Sequence, residues 1–152
     1  MQVATGSYTG NGTDDYEPVT TLSFTADIIW VKARSNVTGA ELVCTLRSFA
    51  AGNTKKMITA ATPGTGLIKS FTGTGFTVGT DAAVNNNGTV YDWMALKNHG
   101  ANLVTGSYTG NGSDNRSITG IGFQPDMAIV MPDAATASIH RGPGEASTNS
   151  SL

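Results

Sequence analysis

The decapeptide Thr5-Gly6-Ser7-Tyr8-Thr9-Gly10-Asn11-Gly12-Thr13-Asp14 returns a hundred residues later as Thr105-Gly106-Ser107-Tyr108-Thr109-Gly110-Asn111-Gly112-Ser113-Asp114, with only Thr13 changed, to Ser113. A second block follows in both places: Leu22-Ser23-Phe24-Thr25-Ala26-Asp27-Ile28-Ile29 is answered by Ile121-Gly122-Phe123-Gln124-Pro125-Asp126-Met127-Ala128. Such repetition implies duplication of one structural unit, and each copy must find a way to bury its own apolar face. The expected division is a complete unit over residues 1–100 and a partial second copy over 101–152. The latter would carry the unit's opening strands and a flexible, linker-like polar tail.

The local pattern within the unit is that of strands. Val3–Tyr8 leads into Gly10-Asn11-Gly12, a turn signal because Asn and Gly accept positive φ. Asp14–Pro18 reads as a polar loop and Val19–Phe24 as an alternating strand. Asp27–Lys32 is dense in β-branched and aromatic residues, as in a central strand covered on both faces. Further strands are expected at Glu41–Arg47, at Lys55–Ala60 with its lysines on an exposed edge, at Ile68–Phe71, at Gly75–Gly79 and at Val90–Lys97. Asn36–Gly39 and Gly52-Asn53 read as turns, and Asp81–Gly88 as a loop. In the second copy strands are expected at Val104–Tyr108, Ser117–Phe123 and Asp126–Met131.

No helix-length stretch keeps a 3.6-residue period. The fold class is therefore all-β, with a β-sandwich or jelly-roll-like unit followed by its partial repeat.

Composition narrows the functional classes. The chain of 152 residues is only 13% charged, with 19 glycines and a net charge of −2. Nine basic residues are scattered through it, so no cluster is available to neutralise phosphates and nucleic acid is not an expected partner. Cys44 is the only cysteine and lies in an apolar run, which makes it a core residue with no disulfide framework around it. No window approaches a membrane span, and Met1–Thr5 lacks the features of a secretory leader. A soluble protein made in a cytoplasm is the expectation, with no membrane partner.

The motifs at Thr5–Gly12, Ile28–Arg34, Gly75–Asp81 and Tyr91–Lys97 together resemble a family of tailed-bacteriophage virion domains. Ser117–Asp126 matches the opening of that family more closely than the first copy does. The resemblance implies a β-rich module of tail, fibre or capsid-surface proteins. The implied function is structural: coating or decorating the virion surface through homo-oligomeric assembly, with a homotrimer as the expected form. The implied partners are other copies of the chain and other virion proteins, and the implied location is the virion, after synthesis in the host cytoplasm. The alternative is a carbohydrate-binding module of a receptor-binding tail fibre that meets a host-surface glycan.

No catalytic, cofactor or metal residue is singled out. His99 and His140 have no evident partner in the sequence, and no nucleophile elbow is present. Asp14, Asp15 and Glu17, or Asp81 with Asn85-Asn86-Asn87, offer oxygen ligands but match no calcium-loop spacing. Trp30, Tyr91, Trp93 and Tyr8 read as core aromatics in preference to a sugar platform. Tyr8, Tyr108, Asn11 and Asn111, from the repeated motif itself, are the candidate contacts for a glycan or a partner.

Overall fold

The computed structural model describes residues 1–34, 42–47, 49, 53–100, 102–142 and 150–151. In chain order its elements are β1 (Gln2–Thr9), β2 (Tyr16–Val19), β3 (Ile28–Ala33), β4 (Val43–Leu46), β5 (Lys55–Lys56), β6 (Ile68–Phe71), β7 (Phe76–Val78), α1 (Ala82–Asn85), β8 (Val90–Lys97), β9 (Ala128–Val130), β10 (Ile139–Arg141) and β11 (Ser150–Ser151). Among the described residues the fold is all-β apart from one short helix, and every strand pairing is antiparallel.

Three sheets result, ordered β1-β8-β3-β4-β5, β2-β7-β6 and β11-β10-β9. The first two share one core. Ile29, Val31, Val43, Tyr91 and Ala95 enter it from the five-stranded sheet, and Val19, Ile68, Phe76 and Val78 from the β2-β7-β6 sheet. Each fully buried aliphatic side chain there contributes about 1.5–3 kcal/mol.

Period-2 alternation explains why β3 is apolar at nearly every position. Ile29, Val31 and Ala33 face that core, whereas Ile28 and Trp30 face a second cluster with Cys44, Leu46 and Met57. Leu103, Ile129 and Met131 pack on this second cluster. The outer face of the five-stranded sheet is thus covered by residues of the second copy, and the central strand is buried on both sides.

The second copy also repeats part of the ladder. Val130 pairs with Ile139 and Ile129 with His140, just as Val31 pairs with Val43 and Trp30 with Cys44. Ile139 and His140 then pair with Ser151 and Ser150, as Val43 and Cys44 do with Lys56 and Lys55. The β9-β10-β11 sheet has the strand order of β3-β4-β5. Strands at Ile139–Arg141 and Ser150–Ser151 fall in the stretch read from sequence as a flexible tail; residues 143–149 and 152 of that tail lie outside the described residues. So do the turn expected at Asn36–Gly39 and Gly52 of the turn at Gly52-Asn53.

Several local expectations are corrected. Residues 16–18 are strand rather than loop, because the Tyr16 ring packs edge-on against Tyr8 at 6.4 Å and Val19 enters the core. Beyond Val19 the chain leaves the ladder, and the Leu22 N–H donates to Thr74 O at 2.8 Å instead. Asp81–Gly88 contains α1, since the Asp81 carboxylate caps it by accepting from Ala83 N at 2.8 Å. Lys55 lies on an edge strand but is fully buried beneath the second copy, its ammonium donating to Ala134 O at 2.8 Å and to Ala61 O. No strand forms over Val104–Tyr108 or Ser117–Phe123, for reasons that lie in the candidate site.

Candidate functional site

The two copies of the repeated motif are the same chemistry in two surroundings. In the first, β1 runs antiparallel along β8 with Gln2 opposite Lys97 and Thr9 opposite Val90. Two glycines make this fit possible. A Cβ on Gly6 would lie 2.8 Å from the Trp93 ring, and one on Gly10 would lie 2.5 Å from Asn86 O.

Tyr8 points inward, only 7% exposed, stacks on Tyr91 at 5.2 Å between ring centroids, and donates its hydroxyl to Val84 O at 2.6 Å. Burial, followed by the neighbouring Tyr91 and Tyr16, drives its phenol far above the ordinary value, so it stays neutral.

Asn85 anchors the turn that follows. It is fully buried and makes four hydrogen bonds. Its Oδ1 accepts from Asn11 N at 2.8 Å and Gly12 N at 3.2 Å, while Nδ2 donates to Thr13 O at 2.7 Å and Gly79 O at 2.8 Å. A buried amide satisfied in this way locks the loop in place. The Asn11 side chain is itself occupied, Oδ1 accepting from Thr13 N at 2.9 Å and Thr13 Oγ1 at 2.8 Å. Lys69 meets the Asp14 and Asp15 carboxylates at 3.0 and 2.8 Å and holds the Asp14 carboxyl below its usual range.

In the second copy every one of these tertiary partners is gone. Nothing lies within 4 Å of a Cβ built on Gly106, Gly110 or Gly112. Tyr108 is 50% exposed, with the Arg116 guanidinium over its ring at 5.4 Å. What survives is local: Ser113 N donates to Asn111 Oδ1 at 3.1 Å, Gly112 repeats the φ of 73° found at Gly12, and Asn115 repeats the φ of 55° found at Asp15. The turn is written in short-range chemistry, but a strand needs a ladder partner. Val104–Tyr108 has none among the described residues, which is why the expected strand is absent.

The four candidate contact residues therefore separate. Tyr8 is a core residue with no surface to offer, and Asn11 is tied into its turn. Tyr108 and Asn111 are exposed. Trp93 and Tyr91 join the core of the two sheets and Trp30 the outer cluster, which leaves Tyr108 as the one exposed aromatic side chain among the described residues. Tyr108 lines a groove of about 540 Å³ with Leu46, Phe49, Pro63, Met131 and Asp133. Sequence reasoning missed this groove, because it arises only where the second copy folds back on the first.

Elsewhere, burial pushes the Cys44 thiol well above its ordinary value, as suits an unreactive core residue. Burial lowers the Lys55 ammonium, against an opposing pull from Asp133. Among the described residues no group of three or more His, Cys, Asp or Glu is placed to hold a metal ion, and no helix is long and apolar enough to cross a membrane.

Fold and site together define an antiparallel β domain whose opening motif is held by β8 and α1. Residues 2–106 match the family described as a domain of unknown function, DUF7483, and the chain belongs to that family. The match spans the whole first unit and stops at the second residue of the repeated decapeptide. No curated protein and no solved structure matches the chain.

Proposed function

We propose that this chain is a structural, non-enzymatic component of a tailed-bacteriophage virion, coating or decorating the capsid or tail surface through homo-oligomeric β-rich assembly. One observation carries the assembly part of this reading. The motif that takes a full ladder along β8 in the first unit lies without strand partners among the described residues in the second, with Val104, Tyr108, Ile118 and Met127 each at least 44% exposed. Unpaired backbone beside exposed apolar side chains is a template for pairing with another chain. A neighbouring copy supplies such an edge, and a closed trimer satisfies every protomer equally. The resemblance of the motifs to phage virion domains supports the location.

The test is sedimentation of the full chain across a wide concentration range, beside the double variant Val104→Ser/Tyr108→Ala. A trimer for the parent and a monomer for the variant is the expected outcome; a parent that stays monomeric at high concentration defeats the assembly reading. Labelled antibody on purified phage particles, with no decoration of capsid or tail, would defeat the location.

The groove at Tyr108 favours a second reading, a glycan-binding role at a receptor-binding fibre. An exposed ring beside a carboxylate can stack on a sugar face and accept from its hydroxyls. Binding on a glycan array that disappears with Tyr108→Ala would support it.

A further inference from the structure

Three Asn-Gly dipeptides occur in the chain, Asn11-Gly12, Asn87-Gly88 and Asn111-Gly112. They carry the same latent reaction. The backbone nitrogen of the glycine loses its proton to solvent base and attacks the Asn side-chain carbonyl carbon. A carbon–nitrogen bond closes the five-membered imide, and ammonia leaves with the former amide nitrogen. Water then opens the imide at either carbonyl, giving Asp or an isoaspartyl linkage. Glycine suits the step because no Cβ hinders the attack and its backbone reaches unusual dihedrals.

The structure separates the three sites by the state of the attacking nitrogen. Gly12 N–H is bound to Asn85 Oδ1 at 3.2 Å, and Gly88 N–H to Gly10 O at 2.9 Å. Gly112 N–H has no hydrogen-bond partner among the described residues. The electrophile is no better prepared at Asn111 than at Asn11: both carbonyl oxygens accept the N–H two residues on, at 2.9 and 3.1 Å, and Asn11 Oδ1 also accepts from Thr13 Oγ1 at 2.8 Å. All three asparagines, Asn11, Asn87 and Asn111, are exposed to water. Sequence context is nearly identical at Asn11 and Asn111, so intrinsic chemistry does not distinguish them.

We infer that Asn111 is a site of spontaneous deamidation in the folded protein, whereas Asn11 and Asn87 are protected by the hydrogen bonds on their glycines. Attack at the protected sites first requires those bonds to open, together with the loop that Asn85 holds. The reaction at Asn111 places a carboxylate on the exposed turn, three residues from Tyr108 and five from Arg116. In the isoaspartyl product it also lengthens the main chain by one methylene. The second copy then differs from the first in charge as well as in setting, and the change accumulates with the age of the molecule.

The experiment ages the full chain at 37 °C and mildly alkaline pH, where the imide step is base-promoted, followed by digestion and mass spectrometry of the peptides around residues 11, 87 and 111. Chromatography separates Asp from isoaspartyl products. Asn111 is expected to convert at least about fivefold faster than either other site, the ratio that one opened hydrogen bond of about 1 kcal/mol implies. Asn85→Ala should raise the rate at Asn11 towards that at Asn111 and leave Asn111 unchanged. Gly112→Ala should slow Asn111 alone. Equal rates at Asn11 and Asn111 in the parent, or an Asn85→Ala variant that remains folded by circular dichroism with Asn11 still slow, would overturn the inference. If Asn85→Ala fails to fold, the parent ratio and the Gly112→Ala comparison still decide.

Discussion

Residues 4–14 and 104–114 are close to a controlled experiment carried out within one molecule. The side chains are nearly the same, yet one segment enters a strand with its tyrosine in the core and the other lies outside any sheet with its tyrosine half exposed. The difference is β8, α1 and Asn85, all of which belong to the first unit. The comparison teaches that this motif encodes a turn by itself and a strand only when an edge is offered to it. The same logic leads the second copy to make its own β9-β10-β11 ladder where three nearby segments can pair, while its opening segment has no strand partner among the described residues.

The comparison is broken most severely at the tyrosines. Tyr8→Ala removes a buried, stacked ring and is expected to cost about 3–5 kcal/mol; Tyr108→Ala should change the stability of the monomer by less than about 0.5 kcal/mol. Urea denaturation of both variants checks this, and similar losses would mean that the second tyrosine is buried in solution.

Next come the glycines. Gly10→Ala drives a methyl into the Asn86 carbonyl and should cost about 1–3 kcal/mol. Gly110→Ala meets open space and should be neutral or stabilise by up to about 1 kcal/mol, through the unfolded chain. Thermal melts of the pair measure the contrast directly.

Alkaline conditions test the burial of Tyr8 in another way. The folded state holds the Tyr8 proton above the phenol's ordinary pKa of 10.0. Above that value the unfolded chain therefore binds fewer protons than the folded one, and stability falls as pH rises. The contribution is fully present below about pH 10. Tyr8→Phe should flatten the decline in melting temperature above pH 10. A decline unaltered by Tyr8→Phe would mean that Tyr8 ionises freely.

The smallest effect is the one expected to be equal in both copies. Asn11→Ala and Asn111→Ala each lose the bond from the N–H two residues on, about 1 kcal/mol or less, and Asn11→Ala also loses the exposed Thr13 Oγ1 bond. Each should speed amide hydrogen exchange at Thr13 or Ser113 by a similar factor. A far larger effect in one copy would show that the turn is not autonomous.

Much of the first unit was legible residue by residue. Val90–Lys97 and Ile68–Phe71 form strands where they are expected, and Ile28–Val31 is covered on both faces as its density of β-branched and aromatic residues implies. What misled was local polarity. Tyr16–Pro18 looked like a loop because the Asp and Glu residues around it outweigh a ring whose burial depends on Tyr8. Asp81–Gly88 looked featureless because its three asparagines are turn formers, although one of them, Asn85, is a buried hub. Lys55 looked like an edge residue, since nothing local reveals that Ala134 will supply a carbonyl above it. At the candidate site, the sequence singled out Tyr8 and Tyr108 as equals, and their separation depends on contacts 76 residues distant in chain position, such as Tyr8 to Val84.

The sequence by itself determined the all-β class, the recurrence of the motif and the geometry of the repeated turn, because strand alternation, glycine φ and the Asn side-chain bond all act within a few residues. Only the tertiary structure decided which copy of the motif becomes a strand, which tyrosine is buried and which Asn-Gly nitrogen has no hydrogen-bond partner among the described residues. Those outcomes rest on β8 and Asn85, partners far along the chain whose position no local interaction specifies.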